Sequence, residues 1–140
     1  MANLAPLESL VGLSTSATGG QRTETVQAGE AISRGEVYYK DATQGNKAFL
    51  AKCDDTAKRA AAGIAMTATS TDGYFLGLTS GRFAVGAAVS IPNDFVLSAT
   101  AGKMCPRADL ATGDYLVVLF NAEASNEGIL SIDDTGIQVP

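Results

Sequence analysis

The sequence predicts an all-β protein, a small sandwich or barrel spanning residues 23–140, preceded by an extended N-terminal arm over residues 1–22. Three observations lead there. Short segments rich in Val, Ile, Phe, Tyr and Thr alternate with turn dipeptides at fairly regular spacing, the pattern of sandwiches and barrels. One stretch returns in looser form later in the chain. The opening residues differ in composition from everything after them.

The arm comes first. Leu4, Leu7, Leu10 and Val11 would share one face of a short helix, with Asn3 as its cap and Gly12 as its stop. The small polar run STSATGGQ follows and reads as a linker. An apolar cluster on such a tether is either a frayed terminus or an arm lying on a neighbouring subunit. The second reading makes Leu4, Leu7, Leu10 and Val11 interface residues.

Strands follow at TETVQ (Thr23 to Gln27), EVYYK (Glu36 to Lys40), AFLAK (Ala48 to Lys52), GIAMTA (Gly63 to Ala68), YFLGL (Tyr74 to Leu78), RFAVG (Arg82 to Gly86), DFVLS (Asp94 to Ser98), YLVVLF (Tyr115 to Phe120) and GILSI (Gly128 to Ile132). Turn signals separate them at Arg34-Gly35, Gln44-Gly45-Asn46, Asp72-Gly73, Ser80-Gly81, Pro92-Asn93 and Gly113-Asp114. YLVVLF is continuously apolar, which predicts the most central strand. Tyr38 and Tyr39 alternate across their strand, which predicts one in the core and the other facing a sheet surface or a partner. DDTAKRAAA (Asp54 to Ala62) reads as a turn or two of helix, or as a loop.

The repeat pairs QAGEAISRGEVYYKDATQGNK (Gln27 to Lys47) with AVGAAVSIPNDFVLSATAGK (Ala84 to Lys103). Without a gap, Gly29 meets Gly86, Ile32 meets Val89, Ser33 meets Ser90, Tyr38 meets Phe95, Ala42-Thr43 meets Ala99-Thr100 and Gly45 meets Gly102. No residue type suited to chemistry is shared. The repeat therefore points to duplicated architecture, a half-barrel or one sheet of a sandwich, and is too short for a solenoid.

Composition narrows function. The 140 residues suffice for a substantial core. Net charge is −5 and the basic residues are scattered, with only Lys58-Arg59 adjacent, so nucleic acid is not an expected partner. No apolar run is long enough to span a membrane, and the Met1 to Ser14 stretch lacks the basic start of a secretory signal. Neither a membrane partner nor an oxidising compartment is expected, and synthesis in a cytoplasm is. Cys53 and Cys105 belong to no CxxC and read as reduced, packed thiols, with a disulfide between them as the alternative. The chain has no histidine, which removes the commonest general base and metal ligand and every Ser-His or Cys-His pair.

Asp134-Thr135-Gly136 spells the triplet of aspartic proteases. That chemistry needs two carboxylates sharing a proton, so one copy would have to dimerise. The triplet sits near the C-terminus, with little chain left to frame a catalytic loop, and reads as an ordinary turn. No other acidic spacing matches a calcium loop, and no glycine pattern matches a phosphate loop. No catalytic residue, cofactor or metal is expected.

Several stretches, AISRGEV (Ala31 to Val37), DDTAKRAAAGIAM (Asp54 to Met66), TSGRFAV (Thr79 to Val85) and VGAAVSIPNDFVLSATAGKM (Val85 to Met104), together with the closing apolar strand, resemble the capsid cement, or head decoration, proteins of tailed bacteriophages. The resemblance covers about Thr23 to Leu119 and leaves out the arm and the tail. It implies a jelly-roll or small barrel, no catalysis, and a place on the exterior of an icosahedral virion capsid. The implied partners are the major capsid protein and the chain itself, as a homodimer or homotrimer at shell symmetry axes. The competing reading is another non-enzymatic β-sandwich interaction module, of tail or adhesin type.

Overall fold

The computed structural model describes residues 12–13, 21–85, 94–124 and 127–140. Leu4, Leu7, Leu10, Val11 and the Pro92-Asn93 turn signal lie outside the described residues. The described chain is all-β, with strands β1 (Gly12–Leu13), β2 (Arg22–Gln27), β3 (Val37–Asp41), β4 (Lys47–Leu50), β5 (Ala61–Ala65), β6 (Tyr74–Ala84), β7 (Asp94–Leu97), β8 (Met104–Pro106), β9 (Tyr115–Ala124) and β10 (Glu127–Gln138). They form one curled antiparallel sheet in the order β4-β3-β5-β6-β10-β9-β7-β8, with β1 and β2 also on β6.

Two predicted strands are in fact one. Ser80-Gly81 does not reverse the chain. Gly81, at φ +110°, lies inside β6 instead, a conformation that costs glycine little. Residues 74–80 pair with β2 and β5, and residues 81–84 pair with β10 and β1. This places β6 at the centre of the sheet, the position the sequence assigns to YLVVLF. Residues 54–60 form turns rather than helix. Gly12 and Leu13, within the predicted arm, pair with Ala84 and Phe83 of their own β6, and Arg22 already belongs to β2.

The sequence repeat is a structural repeat. The first half runs β4-β3-β5-β6-β2 and the second runs β8-β7-β9-β10-β6, so β6 closes one half and opens the other. The register is preserved at the Gly45-to-Gly102 offset. Val37↔Ile64, Tyr38↔Gly63 and Tyr39↔Ala61 correspond to Asp94↔Asn121, Phe95↔Phe120 and Val96↔Val118, and a bulge falls between the last two pairs in both halves. The hairpin turns match as well. Asp41 Oδ1 accepts from Thr43 N–H at 2.9 Å, and at the same place Ser98 Oγ accepts from Thr100 N–H at 3.1 Å. Gly45 (φ +68°) and Gly102 (φ +77°) both take the left-handed conformation. The halves diverge in three places: β8 pairs with β7 one residue out of step, residues 107–109 after β8 form a 3-10 turn that the segment after β4 lacks, and β10 slides along β9, which a two-residue connection joins to it where the β5–β6 link runs from Met66 to Gly73.

Burial follows the repeat. Val26, Ala28, Tyr38 and Ala48 pack with Ile32, Ala65 and Phe75 inside the first half, where an Ala28↔Ala48 bridge brings β4 back against the end of β2. Their counterparts Phe83, Val85, Phe95 and Cys105 are buried in the second. The larger cluster joins Tyr39, Ile64 and Leu78 of the first half with Leu97, Leu119 and Leu130 of the second, and it also takes in Phe83, Val85 and Phe95. Both tyrosines of β3 are therefore buried, Tyr38 at 0% and Tyr39 at 8% exposure. The alternation that predicts one surface tyrosine assumes one wet face, and the second half covers that face.

Candidate functional site

The chemistry-bearing residues come first. Among the described residues no group of three or more Cys, Asp or Glu is placed to hold a metal ion. Cys53 and Cys105 are free and buried. Burial, with Asp114 adding, pushes the Cys53 thiol up to about 12, and burial with Asp109 adding pushes Cys105 up to about 11. The thiolate needed for attack or disulfide exchange is disfavoured at both.

Asp134-Thr135-Gly136 is not the terminal turn its sequence predicts but an irregular stretch inside β10, beside Val117 of β9. Thr135 Oγ1 donates to the Leu116 carbonyl at 2.8 Å and accepts from Ile137 N–H at 3.1 Å. Gly136 is left-handed at φ +72°. Asp134 accepts from Gly136 N–H and lies 3.4 Å from Arg59 Nε. Arg59 in turn covers the Tyr115 ring at 4.0 Å. The triplet thus closes a strand irregularity onto a cation, and its carboxylate faces an arginine rather than a second aspartate.

Positive charge is matched locally. Lys40, Lys47, Lys52, Arg59, Arg82, Lys103 and Arg107 each lie within 4.0 Å of a carboxylate. Such exposed pairs contribute little to stability, but they spread the cations instead of gathering them into a phosphate-binding stripe.

What remains is surface shape. Tyr74, Ile137 and Ile129 are the exposed large apolar residues among those described, at 66%, 61% and 37% exposure. Ile137 lines an open groove of about 380 Å³ together with Arg107, Ala108, Leu110, Leu116 and Val139. The groove joins the segment after β8, the start of β9 and the end of β10. Sequence reading missed it because its walls come from three separate stretches, and none of them carries a motif.

The arm residues Leu4, Leu7, Leu10 and Val11, the only interface positions the sequence nominates, lie outside the described residues, so the structure neither gathers nor separates them. Compared with known proteins, the chain matches no family model, no curated protein and no solved structure.

Proposed function

We propose that this chain is a structural virion protein that binds the outer surface of an icosahedral phage capsid and stabilises it by bridging major capsid protein subunits, with copies of the chain associating around shell symmetry axes. The observation that carries the reading is the repeated framework itself. Stretches in which the sequence resembles cement proteins, from AISRGEV into the β3–β4 hairpin and from DFVLSATAGKM into the β7–β8 hairpin, form the two matching hairpins of the fold. Among the described residues, side-chain hydrogen bonds and ion pairs mostly serve turns and local pairings, which suits a rigid adhesive element better than a reaction centre.

Mass spectrometry of purified particles is expected to find the chain in heads at a copy number comparable to that of the major capsid protein. Particles stripped of it are expected to release genome at lower temperature or under milder osmotic shock, and purified protein added back restores them. Recovery of the chain in tail fractions would support the tail-module alternative. Depleted heads as robust as complete ones would remove the stabilising role.

A further inference from the structure

The two halves resemble each other, yet they use their matching turns differently. The second turn, residues 98–103, is docked on the first half. Gly102 N–H donates to the Ala51 carbonyl at 2.8 Å and its carbonyl accepts from Val37 N–H at 2.9 Å. Cys53 N–H donates to the Ser98 carbonyl at 3.0 Å. A Cβ placed on Gly102 would stand 3.0 Å from Leu50. The seat is therefore the start of β3 plus the segment that follows β4.

The first turn has the same cap and the same left-handed glycine but no such seat. Residues 42–46 are exposed, and a Cβ placed on Gly45 would meet nothing within 4 Å. The counterpart of the seat, allowing for the one-residue slip of β8, is the start of β7 plus residues 106–110. That segment supplies Arg107, Ala108 and Leu110 to the 380 Å³ groove, which exposed Ile137 also lines. Arg107 Nη2 is tied to Asp94 at 2.7 Å, which fixes this wall to the start of β7.

We propose that the groove beside Ala108 receives the exposed 41–46 turn of a second copy of this chain. The contact sets the turn against the segment equivalent to that seat, but through the side chains lining the groove, because residues 107–109 form a 3-10 turn in which the Arg107 carbonyl already accepts from Leu110 N–H at 3.3 Å. A turn and a seat on opposite halves are different surfaces, so the contact is heterologous: it links copies head to tail and generates a ring or an open chain. One turn in a groove of this size buries less than the roughly 1,200 Å² of a stable complex, so association is weak in free solution and strengthens where many copies sit side by side. The inference specifies the self-association within the proposed function.

The test uses the purified full-length chain without particles, so it can fail while capsid binding stands, and the reverse. Ala42 and Ala108 are exposed and small, and each becomes arginine in a separate variant, with circular dichroism confirming the fold. Sedimentation of the wild type over a concentration series is expected to show reversible association. Ala42→Arg and Ala108→Arg are each expected to weaken it by about tenfold or more. An equimolar mixture of the two variants retains one intact turn and one intact groove, so it is expected to regain association that stops at the dimer. A wild type that stays monomeric throughout, variants that associate as the wild type does, or a mixture that stays monomeric would each overturn the proposal.

Discussion

Tyr38→Phe removes one oxygen from the middle of the first half. The ring meets Phe75 edge-on, with centroids 5.0 Å apart at 84°. It crosses Gly63 and Gly77, where any Cβ would collide with the hydroxyl. The hydroxyl donates to Glu24 Oε2 at 2.8 Å, and Lys40 Nζ donates to Glu24 Oε1 at 2.8 Å. Burial first, and then this bond, hold the Tyr38 hydroxyl far above its usual pKa. A hydrogen bond to a charged acceptor contributes about 1.5–3 kcal/mol. Glu24 keeps Lys40 and is 27% exposed, so it is not orphaned by the change, and the expected loss is about 1–2 kcal/mol. For a chain of this length that lowers Tm by roughly 3–8 °C. Urea unfolding of the wild type, Tyr38→Phe, Glu24→Ala and the double variant isolates the pair term, expected at roughly 0.5–2 kcal/mol. A coupling below about 0.3 kcal/mol would refute the reasoning and reduce the hydroxyl to a bystander of the aromatic packing.

Three further outcomes are expected. Gly128→Ala drives a Cβ into the Phe120 ring, which stacks on Phe95 at 5.0 Å; the urea midpoint should fall by the equivalent of about 1–3 kcal/mol, and an unchanged midpoint would mean that this packing is loose. Stability should fall as pH rises above 9, where the unfolded chain ionises its thiols, while folded Cys105 and Cys53 hold their protons to about 11 and about 12. In the Cys53→Ala/Cys105→Ala variant the midpoint should fall less steeply over that window; equal slopes would show that the thiols carry none of the effect. Deleting residues 1–11 should leave a folded β body whose occupancy on particles drops, because each leucine an arm buries contributes roughly 1.5–3 kcal/mol; unchanged occupancy would make those residues a simple terminus.

Most strands were legible because alternation and turn chemistry are local. Asp72 and Asn46 take positive φ, as do Gly35, Gly45 and Gly113, all at turns marked by residue type alone. The failures are tertiary. Gly81 has the composition of a turn, yet its partner Leu130 keeps it in a strand. β6 looks too polar for the centre because Gly77, Thr79 and Ser80 interrupt it, while the apolar run of β9 reports covered faces and not position. β8 is three residues ending in proline, tolerable only at the edge it occupies. The repeat surfaced where backbone demands conserve small residues. It stayed hidden at β5 and β9, where Gly63 and Phe120 share a register position but not a side chain. The groove was illegible because no local pattern encodes that Ile137 and Ala108 line one groove.

The double role of β6 has a consequence for how the molecule comes apart. Two duplicated units joined by a linker can melt one at a time. Here residues 74–80 complete one unit and residues 81–84 complete the other, so unravelling either half strips ladder hydrogen bonds from a strand the other half needs. Unfolding is therefore expected to be all-or-none despite the duplicated plan. The amides of β6 should exchange with solvent only through global opening, and a protease cut at Ser80-Gly81 should release no stable half.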